Sequence, residues 1–448
     1  PPMKIFPESF QQKMKELLKE DSTIFFESQD NQPPISLRKH PIKRNSSLFP
    51  EARKVDWCQE GIYLSARPVF TYDPLFHAGA YYVQEAGSML LEKFLTPILE
   101  KNKNLKILDL CAAPGGKSTH VLSLMNGKGI LVSNETIPLR NKILRQNIAK
   151  WGYTNCIVTQ NKSEDFAKSK IQFDVIIVDA PCSGEGLFRK DGQAILEWSV
   201  DQVMVCSQRQ TKILEDIFPA LKPGGYLIYS TCTYESSEND DQIEKMISNF
   251  GMKVVTPEPP TGITLTKYGW QAFPHRVPSE GFYCCLLKKE GELIAENLSS
   301  PPKTNSKKSV IPSFEKWLLD ENYFNITQQH DFIYAASKEV YELTQQLSKT
   351  SYIRMSGLLL GEMKGKDFIP SAELALSLQL NRNIPTVDLS EQESINYLCG
   401  EPLLAQSEAL GWHLVTHQNQ ALGWAKKIAS RWNNYYPKEW RIQNKPKN

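Results

Sequence analysis

The sequence predicts an α/β protein whose main domain is a doubly wound parallel sheet. From residue 105 onward, short apolar stretches alternate with helical stretches at the spacing of strand–helix–strand units. Residues 175–178 form an unbroken β-branched run, which is typical of a parallel strand buried on both faces. Polar or glycine-containing turns follow the predicted strands, and such sheets bind ligands at the carboxyl ends of their strands. We therefore expect the functional site at this edge of the sheet.

The individual elements are predicted from apolar periodicity and from start and stop residues. The helix at 201–221, for example, is expected to end at Lys-Pro-Gly-Gly because proline and glycine interrupt helices. The predicted helices cover residues 6–20, 84–95, 117–125, 138–151, 201–221 and 240–249. The predicted strands cover residues 107–110, 129–132, 156–159, 175–178, 226–229 and 282–287.

A chain of 448 residues is long enough for several domains, and changes in composition predict five segments. The polar stretch at 291–312 contains Ser-Ser-Pro-Pro, which indicates a linker. The segments are an N-terminal extension (1–75), the main domain (76–290), the linker (291–312), a small α+β domain (313–380) and a C-terminal α+β domain (381–448).

The composition predicts a globular protein of the cytoplasm, and we expect it to be a monomer. Apolar residues make up 41% of the chain, and no apolar run reaches the length of a membrane span. The nine cysteines are scattered without a Cys-x-x-Cys pair, so we expect neither a metal site nor disulfides. The formal net charge is only +2, so any surface that binds nucleic acid must be local.

A glycine turn after the first strand of the main domain is the predicted cofactor site. The turn consists of Cys111, Ala112, Ala113, Pro114, Gly115, Gly116 and Lys117. It lacks the glycine spacing of dinucleotide and triphosphate sites, but a helix with free N–H groups follows it. Glu135 follows the second strand, where doubly wound folds place the carboxylate that binds ribose hydroxyls. These features predict an adenosine ligand such as S-adenosylmethionine.

Two cysteines follow predicted strands and are the candidates for catalysis. Cys182, three residues after Asp179, is the first candidate for a nucleophile, and Cys232 lies at the tip of another strand. Two thiols and an acid suggest methylation of carbon 5 of a pyrimidine. A thiolate that adds to carbon 6 activates carbon 5 toward a sulfonium methyl group, and a base must then remove the carbon 5 proton. An acid near ring nitrogen 3 would stabilise the charge that forms there.

Three motifs closely resemble those of the Sun/RsmF-type RNA 5-methylcytosine methyltransferases. They are Asp-Leu-Cys-Ala-Ala-Pro-Gly-Gly-Lys at 109–117, Asp-Ala-Pro-Cys-Ser-Gly-Glu-Gly at 179–186 and Ser-Thr-Cys-Thr at 230–233. Leu-Gly-Trp at 422–424 is similar to the PUA-related tail of RsmF-like ribosomal RNA enzymes. The resemblance implies a Rossmann-like class I methyltransferase domain with an RNA-binding N-terminal extension and a PUA-like C-terminal domain.

The resemblance also implies a role for each motif residue. Cys232 would be the attacking nucleophile, and Cys182 would assist release of the methylated product. Asp179 would contact a cytosine flipped out of its stack, at the boundary with the cofactor. Residues 111–117 and Glu135 would bind S-adenosylmethionine. The family's acid near the end of the third strand is absent, and Asn161 is expected to serve the adenine in its place.

Basic residues interleaved with aromatic ones suit contacts with RNA backbone and bases. The tail from residue 420 combines seven lysines or arginines with one acid and several tryptophans and tyrosines. The alternative for several of these aromatic residues is that they form the core of a small domain. The predicted RNA-binding residues are Arg38, Arg189, Lys190, His275, Arg276, Trp424, Lys426 and Lys427.

The predicted function is methylation of cytosine carbon 5 in small-subunit (16S) ribosomal RNA, with the 30S subunit as partner. A tRNA methyltransferase of the same family is the nearest alternative, and the C-terminal tail favours ribosomal RNA over it. A non-catalytic RNA-binding or ribosome-assembly factor is the alternative from another class. The presence of both thiols and Asp179 argues against a non-catalytic protein.

Overall fold

The computed structural model describes residues 4–43, 48–293 and 313–445. Most of the predicted linker, residues 294–312, lies outside the described residues.

A ten-stranded sheet forms the centre of the molecule. Its five parallel strands, in spatial order, are Leu221–Thr231, Phe173–Asp179, Lys106–Asp109, Ile130–Asn134 and Cys156–Thr159. Phe282–Lys288 pairs antiparallel with Leu221–Thr231, and the short strands Lys253–Val254, Thr264–Leu265 and Trp270–Ala272 continue that side. Buried apolar clusters lie on both faces of the sheet, which confirms the predicted doubly wound fold.

Helices connect the parallel strands and cover the sheet. They are Leu91–Lys101, Gly116–Met125, Pro138–Trp151, Ser163–Lys168, Gly192–Glu197, Val200–Ile217 and Asp240–Phe250. The helix predicted at 84–95 begins later, at Leu91, because Gly87–Leu90 forms a 3₁₀ turn instead. The helix predicted to end at residue 221 ends at Ile217, and residues 221–225 already belong to the next strand.

The N-terminal part joins two helices to a small antiparallel sheet. The helices are Glu8–Leu18 and Ser22–Asp30, and the strands in spatial order are Arg53–Lys54, Gly61–Leu64, Ile35–Lys39 and Tyr81–Val83. The short helix Pro74–His77 precedes the last strand. The apolar side of Glu8–Leu18 packs against residues of the central domain rather than against its own sheet.

The C-terminal part contains two four-stranded sheets. One consists of Phe324–Gln329, Phe332–Ser337, Leu358–Lys364 and Asp367–Pro370, and the other of Thr386–Asp388, Gly411–His417, Gln420–Ile428 and Arg431–Asn434. The helices of this part are Lys338–Leu347, Ala372–Leu376 and Glu391–Leu398. Both sheets contribute to one apolar core, which includes Trp317, Leu360 and Trp424.

One strand of the C-terminal part joins the central sheet. Ile353–Ser356 pairs antiparallel with Cys156–Thr159 and closes that edge. The sequence predicted a separate small domain at 313–380 and not this strand. An unpaired edge strand exposes backbone N–H and C=O groups, and the added strand satisfies them.

None of the helices in the described ranges is both long and apolar enough to cross a membrane.

Candidate active site at the carboxyl edge of the sheet

The central sheet brings the two candidate cysteines together. Asp179 and Ser230 are register partners on neighbouring parallel strands, so the chain leaves both strands at the same edge. Cys182 Sγ and Cys232 Sγ lie 3.1 Å apart, and the Cys232 backbone N–H donates to Cys182 Sγ at 3.3 Å. Both side chains are partly exposed, so a ligand in the cleft can reach them.

The contact between the sulfurs affects the Cys182 thiol. The hydrogen bond to Cys232 and burial both raise the pKa of the Cys182 thiol well above its ordinary value. Cys182 is therefore in its protonated thiol form at neutral pH.

Buried carboxylates connect the loops that carry the cysteines. Glu238, beyond Cys232, accepts the backbone N–H of Ser183 at 2.9 Å. Glu185, beyond Cys182, accepts the backbone N–H of Tyr234 at 3.2 Å. In each loop, a carboxyl group thus accepts a hydrogen bond from the backbone of the other loop.

Gly186 lies where these two loops come closest. Its N–H donates to the carbonyl of Cys232 at 2.9 Å. A Cβ at this position would lie 2.5 Å from the carbonyl oxygen of Gly281 and 2.9 Å from that of Cys232. Only glycine therefore fits here without displacing the backbone around Cys232.

Asp179 is held between the two loops that carry Cys182 and Cys232 and the glycine turn at 111–117. Its Oδ1 accepts from Ser230 Oγ at 2.7 Å, and its Oδ2 pairs with Lys117 Nζ at 2.8 Å. Burial lowers the pKa of Lys117, but the neighbouring Asp179 carboxylate outweighs burial and raises it overall. Lys117 is thus a fixed cation beside Asp179, and the sequence had placed it only in the cofactor turn.

The glycine turn leads directly into a helix N-terminus. Gly115 has a φ of +117°, which favours glycine, and no side chain caps the helix Gly116–Met125. The carbonyls of Ala113 and Pro114 accept from Arg140 and Asn147, so they are turned toward the next helix. The first N–H groups of Gly116–Met125 are consequently available to a ligand.

Two polar atoms of the turn region are buried without a partner among the described residues: Asp109 Oδ1 and Asn161 Nδ2. Asn161 Oδ1 already accepts the backbone N–H of Tyr352 at 3.0 Å, which leaves its amide nitrogen as the unused donor. Adenine N1 is an acceptor, so this donor fits an adenine edge. Together with the glycine turn, these atoms fit an adenosine ligand.

Glu135 follows the strand Ile130–Asn134, as the sequence predicted. Its Oε1 accepts the N–H of Ile137 at 2.9 Å, and its Oε2 lies 3.5 Å from Arg140. Cys111 packs beneath this region, and burial raises the pKa of its thiol. Cys111 is therefore a packed neutral side chain, whereas the Glu135 carboxyl is held in place by the Ile137 N–H and by Arg140.

The structure contradicts three of the predicted RNA contacts. The Arg38 side chain is 1% exposed and donates to Gln84 and Thr119. Trp424 is also 1% exposed and donates to the carbonyl of Ser371. The His275 side chain is 3% exposed. The prediction of RNA contact is wrong for these three residues, because their side chains are part of the interior.

The other predicted RNA-binding side chains reach the surface to different degrees. Arg189 donates to the carbonyls of Asn31 and Gln32, just after the second N-terminal helix, and Arg276 pairs with Asp21, just before it, so both contact the N-terminal part of the chain. Lys190 is half-exposed. Lys426 and Lys427 are partly exposed on one strand of the C-terminal sheet. RNA contact by these five residues stays a prediction.

Sequence reasoning missed the polar residues that hold the site together. Lys13, Glu185, Gln210 and Glu238 come from four separate segments, and Gln210 Nε2 donates to Glu238 Oε2 at 2.8 Å. The only sequence signal was the position of Glu185 inside the Asp-Ala-Pro-Cys-Ser-Gly-Glu-Gly motif.

A buried group of Cys58, Glu92 and His120 also joins the N-terminal sheet to the central domain. The donor atoms lie within 4.8 Å of one another. His120 Nε2 and Glu92 Oε2 are 2.8 Å apart, and burial lowers the pKa of His120 to about 4. A neutral imidazole that donates to Glu92 accounts for this contact, and the expected absence of a metal stays a prediction.

Comparison with protein families assigns most of the chain. The family described as 16S rRNA methyltransferase RsmB/F matches residues 96–288. The N-terminal domain of 16S rRNA methyltransferase RsmF matches residues 6–86, and the methyltransferase RsmF PUA domain matches residues 384–442.

Individual relatives and solved structures agree with these matches. Ribosomal RNA small subunit methyltransferase F of Cronobacter sakazakii is 31% identical over 86% of this chain and 84% of its own length. That of Shewanella woodyi is 29% identical over 94% of this chain and 92% of its own length. A methyltransferase homolog protein from Pyrococcus horikoshii is 26% identical with a TM-score of 0.55, covering 63% of this chain and 95% of that chain. The chain therefore belongs to the ribosomal RNA small subunit methyltransferase F family, a family of 16S rRNA methyltransferases.

Proposed function

We propose that this protein methylates carbon 5 of a cytosine in 16S rRNA through a covalent adduct between Cys232 and the base. The observation that carries this proposal is the pair of thiols 3.1 Å apart, next to Asp179 and the glycine turn. An enzyme that methylates a ring nitrogen or an amino group of a base needs no attacking thiol and no second thiol. Methylation of carbon 5 uses both thiols.

Cys232 is the proposed nucleophile, as the resemblance of the Ser-Thr-Cys-Thr motif implies, and its Sγ lies beside that of Cys182. Its Sγ adds to carbon 6 of the cytosine, and the electron pair of the carbon 5–carbon 6 double bond moves onto carbon 5 and toward ring nitrogen 3. We propose that the Lys117 ammonium, which pairs with Asp179 close to the two thiols, stabilises this charge electrostatically. Burial of the loops keeps these groups fixed before the reaction begins.

Cys182 is proposed to assist release. After methyl transfer, carbon 5 must lose its proton so that the bond between Cys232 Sγ and carbon 6 can break. Cys182 Sγ lies within 3.1 Å of Cys232 Sγ, near enough to take part in this proton transfer. For this step Cys182 first gives its own proton to solvent, and its thiolate then takes the carbon 5 proton. The electron pair of the broken carbon–hydrogen bond re-forms the carbon 5–carbon 6 double bond and expels Cys232 Sγ as a thiolate.

S-adenosylmethionine is the proposed cofactor, and it supplies the methyl group when bound. The backbone of residues 111–117 and the free N–H groups of Gly116–Met125 would hold its amino acid portion. Glu135 would accept from its ribose hydroxyls, and Asn161 Nδ2 would donate to its adenine.

The proposed substrate is a cytosine of 16S rRNA within the 30S subunit, recognised by a monomeric enzyme in the cytoplasm. Lys190, Lys426 and Lys427 carry charge on partly exposed side chains and can contact the RNA backbone.

Trapping the adduct tests this function. The Cys182→Ala variant, mixed with 30S subunits and S-adenosylmethionine, should accumulate a covalent protein–RNA complex that resists denaturing electrophoresis. The Cys182→Ala/Cys232→Ala double variant should form none, and Cys206→Ala, which changes a buried thiol elsewhere, should turn over normally. Trapping by Cys232→Ala instead would reverse the roles of the two cysteines. Bisulfite sequencing of 16S rRNA and of tRNA from the same reactions identifies the substrate.

A further inference from the structure

The first helix of the chain packs on the catalytic loops. Phe10 and Met14 of Glu8–Leu18 share an apolar cluster with Phe188, Trp198 and Tyr234. The rings of Phe10 and Phe188 meet edge to face with their centroids 5.0 Å apart. Phe188 follows Cys182 by six residues and Tyr234 follows Cys232 by two, so the helix touches the chain downstream of each thiol.

Lys13 extends from the same face of this helix between the two loops. Its Nζ forms ion pairs with Glu185 and Glu235. Glu185 is the third residue after Cys182, and Glu235 is the third residue after Cys232. A single ammonium group therefore binds equivalent positions of both loops.

The carboxyl group of Glu185 connects Lys13 to the backbone of the loop that follows Cys232. Its side chain is fully buried, and its Oε2 accepts the N–H of Tyr234. Burial raises the pKa of Glu185 to about 8, and the charge of Glu235 acts in the same direction. Without Lys13, the two acids would lose the cation that joins them, and the buried Glu185 would take up a proton instead of remaining charged, so no ion pair would tie the two loops together.

We propose that Lys13 is a positioning residue that sets the separation of Cys182 and Cys232. The N-terminal extension, which the sequence indicated as an RNA-binding arm, then also completes the active site. Lys13 touches neither sulfur and acts through Glu185 and Glu235. This role of Lys13 rests on the proposed function only in the test that measures reaction rates.

The kinetic test compares three variants. Lys13→Met keeps the aliphatic stem and removes the charge, Lys13→Arg keeps the charge, and Lys15→Met removes an exposed charge from the same helix. Lys13→Met should lower kcat about tenfold or more, with KM for RNA and for S-adenosylmethionine nearly unchanged. Lys13→Arg should restore most of kcat, and Lys15→Met should behave as the parent protein. A raised KM for RNA with unchanged kcat would overturn the proposal and make Lys13 an RNA contact.

A second test needs neither RNA nor cofactor. Phenylarsine oxide bonds two neighbouring thiols, and mass spectrometry of the digested protein measures how fast it bridges Cys182 to Cys232. Bridging should be fast in the parent protein and in Lys15→Met, and several-fold slower in Lys13→Met. Equal bridging rates would overturn the proposal. Slower bridging in a protein that methylates no RNA would uphold it while refuting the proposed function.

Loss of Lys13 leaves the buried Glu185 carboxyl without its cation and can impair folding. The Lys13→Met/Glu185→Gln double variant replaces this carboxyl by a neutral amide and keeps the shape of the side chain. It should regain the melting temperature of the parent protein but keep the low kcat and the slow bridging. If kcat and the bridging rate also returned to the values of the parent protein together with the melting temperature, Lys13 would only stabilise the fold. This result would overturn the proposal.

Discussion

Gly186 shows how closely single residues are constrained in this site. The backbones of Cys232 and Gly281 leave no room for a Cβ there. We expect Gly186→Ala to lower the free energy of unfolding by about 1–3 kcal/mol, because the backbone must move to relieve the overlap. Gly192→Ala is the matched control, since no atom lies within 4 Å of the Cβ it would add. Urea unfolding of both variants measures the difference, and equal losses would contradict the close approach.

Asp109 gives a pH dependence with a definite sign. Burial raises the pKa of this carboxyl to about 7 in the folded protein. Because the folded-state pKa lies above that of the unfolded chain, the folded state holds the proton longer and loses stability as pH rises from about 4 to about 7. Asp109→Asn should therefore gain stability relative to the parent protein over this range, by at most about 1.4 kcal/mol per pH unit. Urea unfolding at pH 5 and pH 8 tests this, and a constant difference would contradict it.

At the scale of elements, the strand Ile353–Ser356 links the C-terminal part to the adenine side of the proposed cofactor site. The N–H of Tyr352, just before the strand, donates to Asn161, whereas the Tyr352 side chain is 73% exposed. Tyr352→Pro removes this donor and should weaken S-adenosylmethionine binding by about 1 kcal/mol, or roughly fivefold. Tyr352→Ala keeps the donor and should bind normally. Isothermal titration calorimetry measures both, and equal affinities would show that Asn161 needs no such support.

The six predicted strands of the main domain are all present, because continuous apolar runs between glycine and polar turns are strong local signals. The positions of Cys182 and Cys232 just after two of these strands could be predicted for the same reason. Ile353–Ser356 could not, since a short edge strand gains its stability from a partner almost two hundred residues away. The burial of Arg38 and Trp424 also escaped prediction, because their polar partners come from distant segments.

At the scale of the whole molecule, the C-terminal part and the catalytic domain share one interior. Val340, Leu343 and Leu347 of the helix Lys338–Leu347 belong to the same apolar cluster as Leu108 and Ile157 of the central sheet. The C-terminal part is therefore a structural support of the catalytic domain as well as a proposed RNA-binding unit.

Truncation tests this mutual dependence. A chain that ends at residue 293 would expose the apolar cluster and the edge of Cys156–Thr159. We expect a lower melting temperature and faster hydrogen exchange at residues 156–159 than in the full chain. A truncated protein with the melting temperature of the full chain would show that the two parts fold independently.

The short distance between the sulfurs of Cys182 and Cys232 has a further consequence for the lifetime of the enzyme under oxidative stress. A hydroperoxide that converts one of these thiols to a sulfenic acid places that group beside the other thiol, which displaces water and forms a disulfide. This product is reversible, whereas an isolated sulfenic acid can be oxidised beyond repair. We expect peroxide to inactivate the enzyme and the Cys182–Cys232 pair to lose two hydrogens. Dithiothreitol should then restore the activity. Cys182 would thus protect the proposed nucleophile, Cys232, from permanent damage.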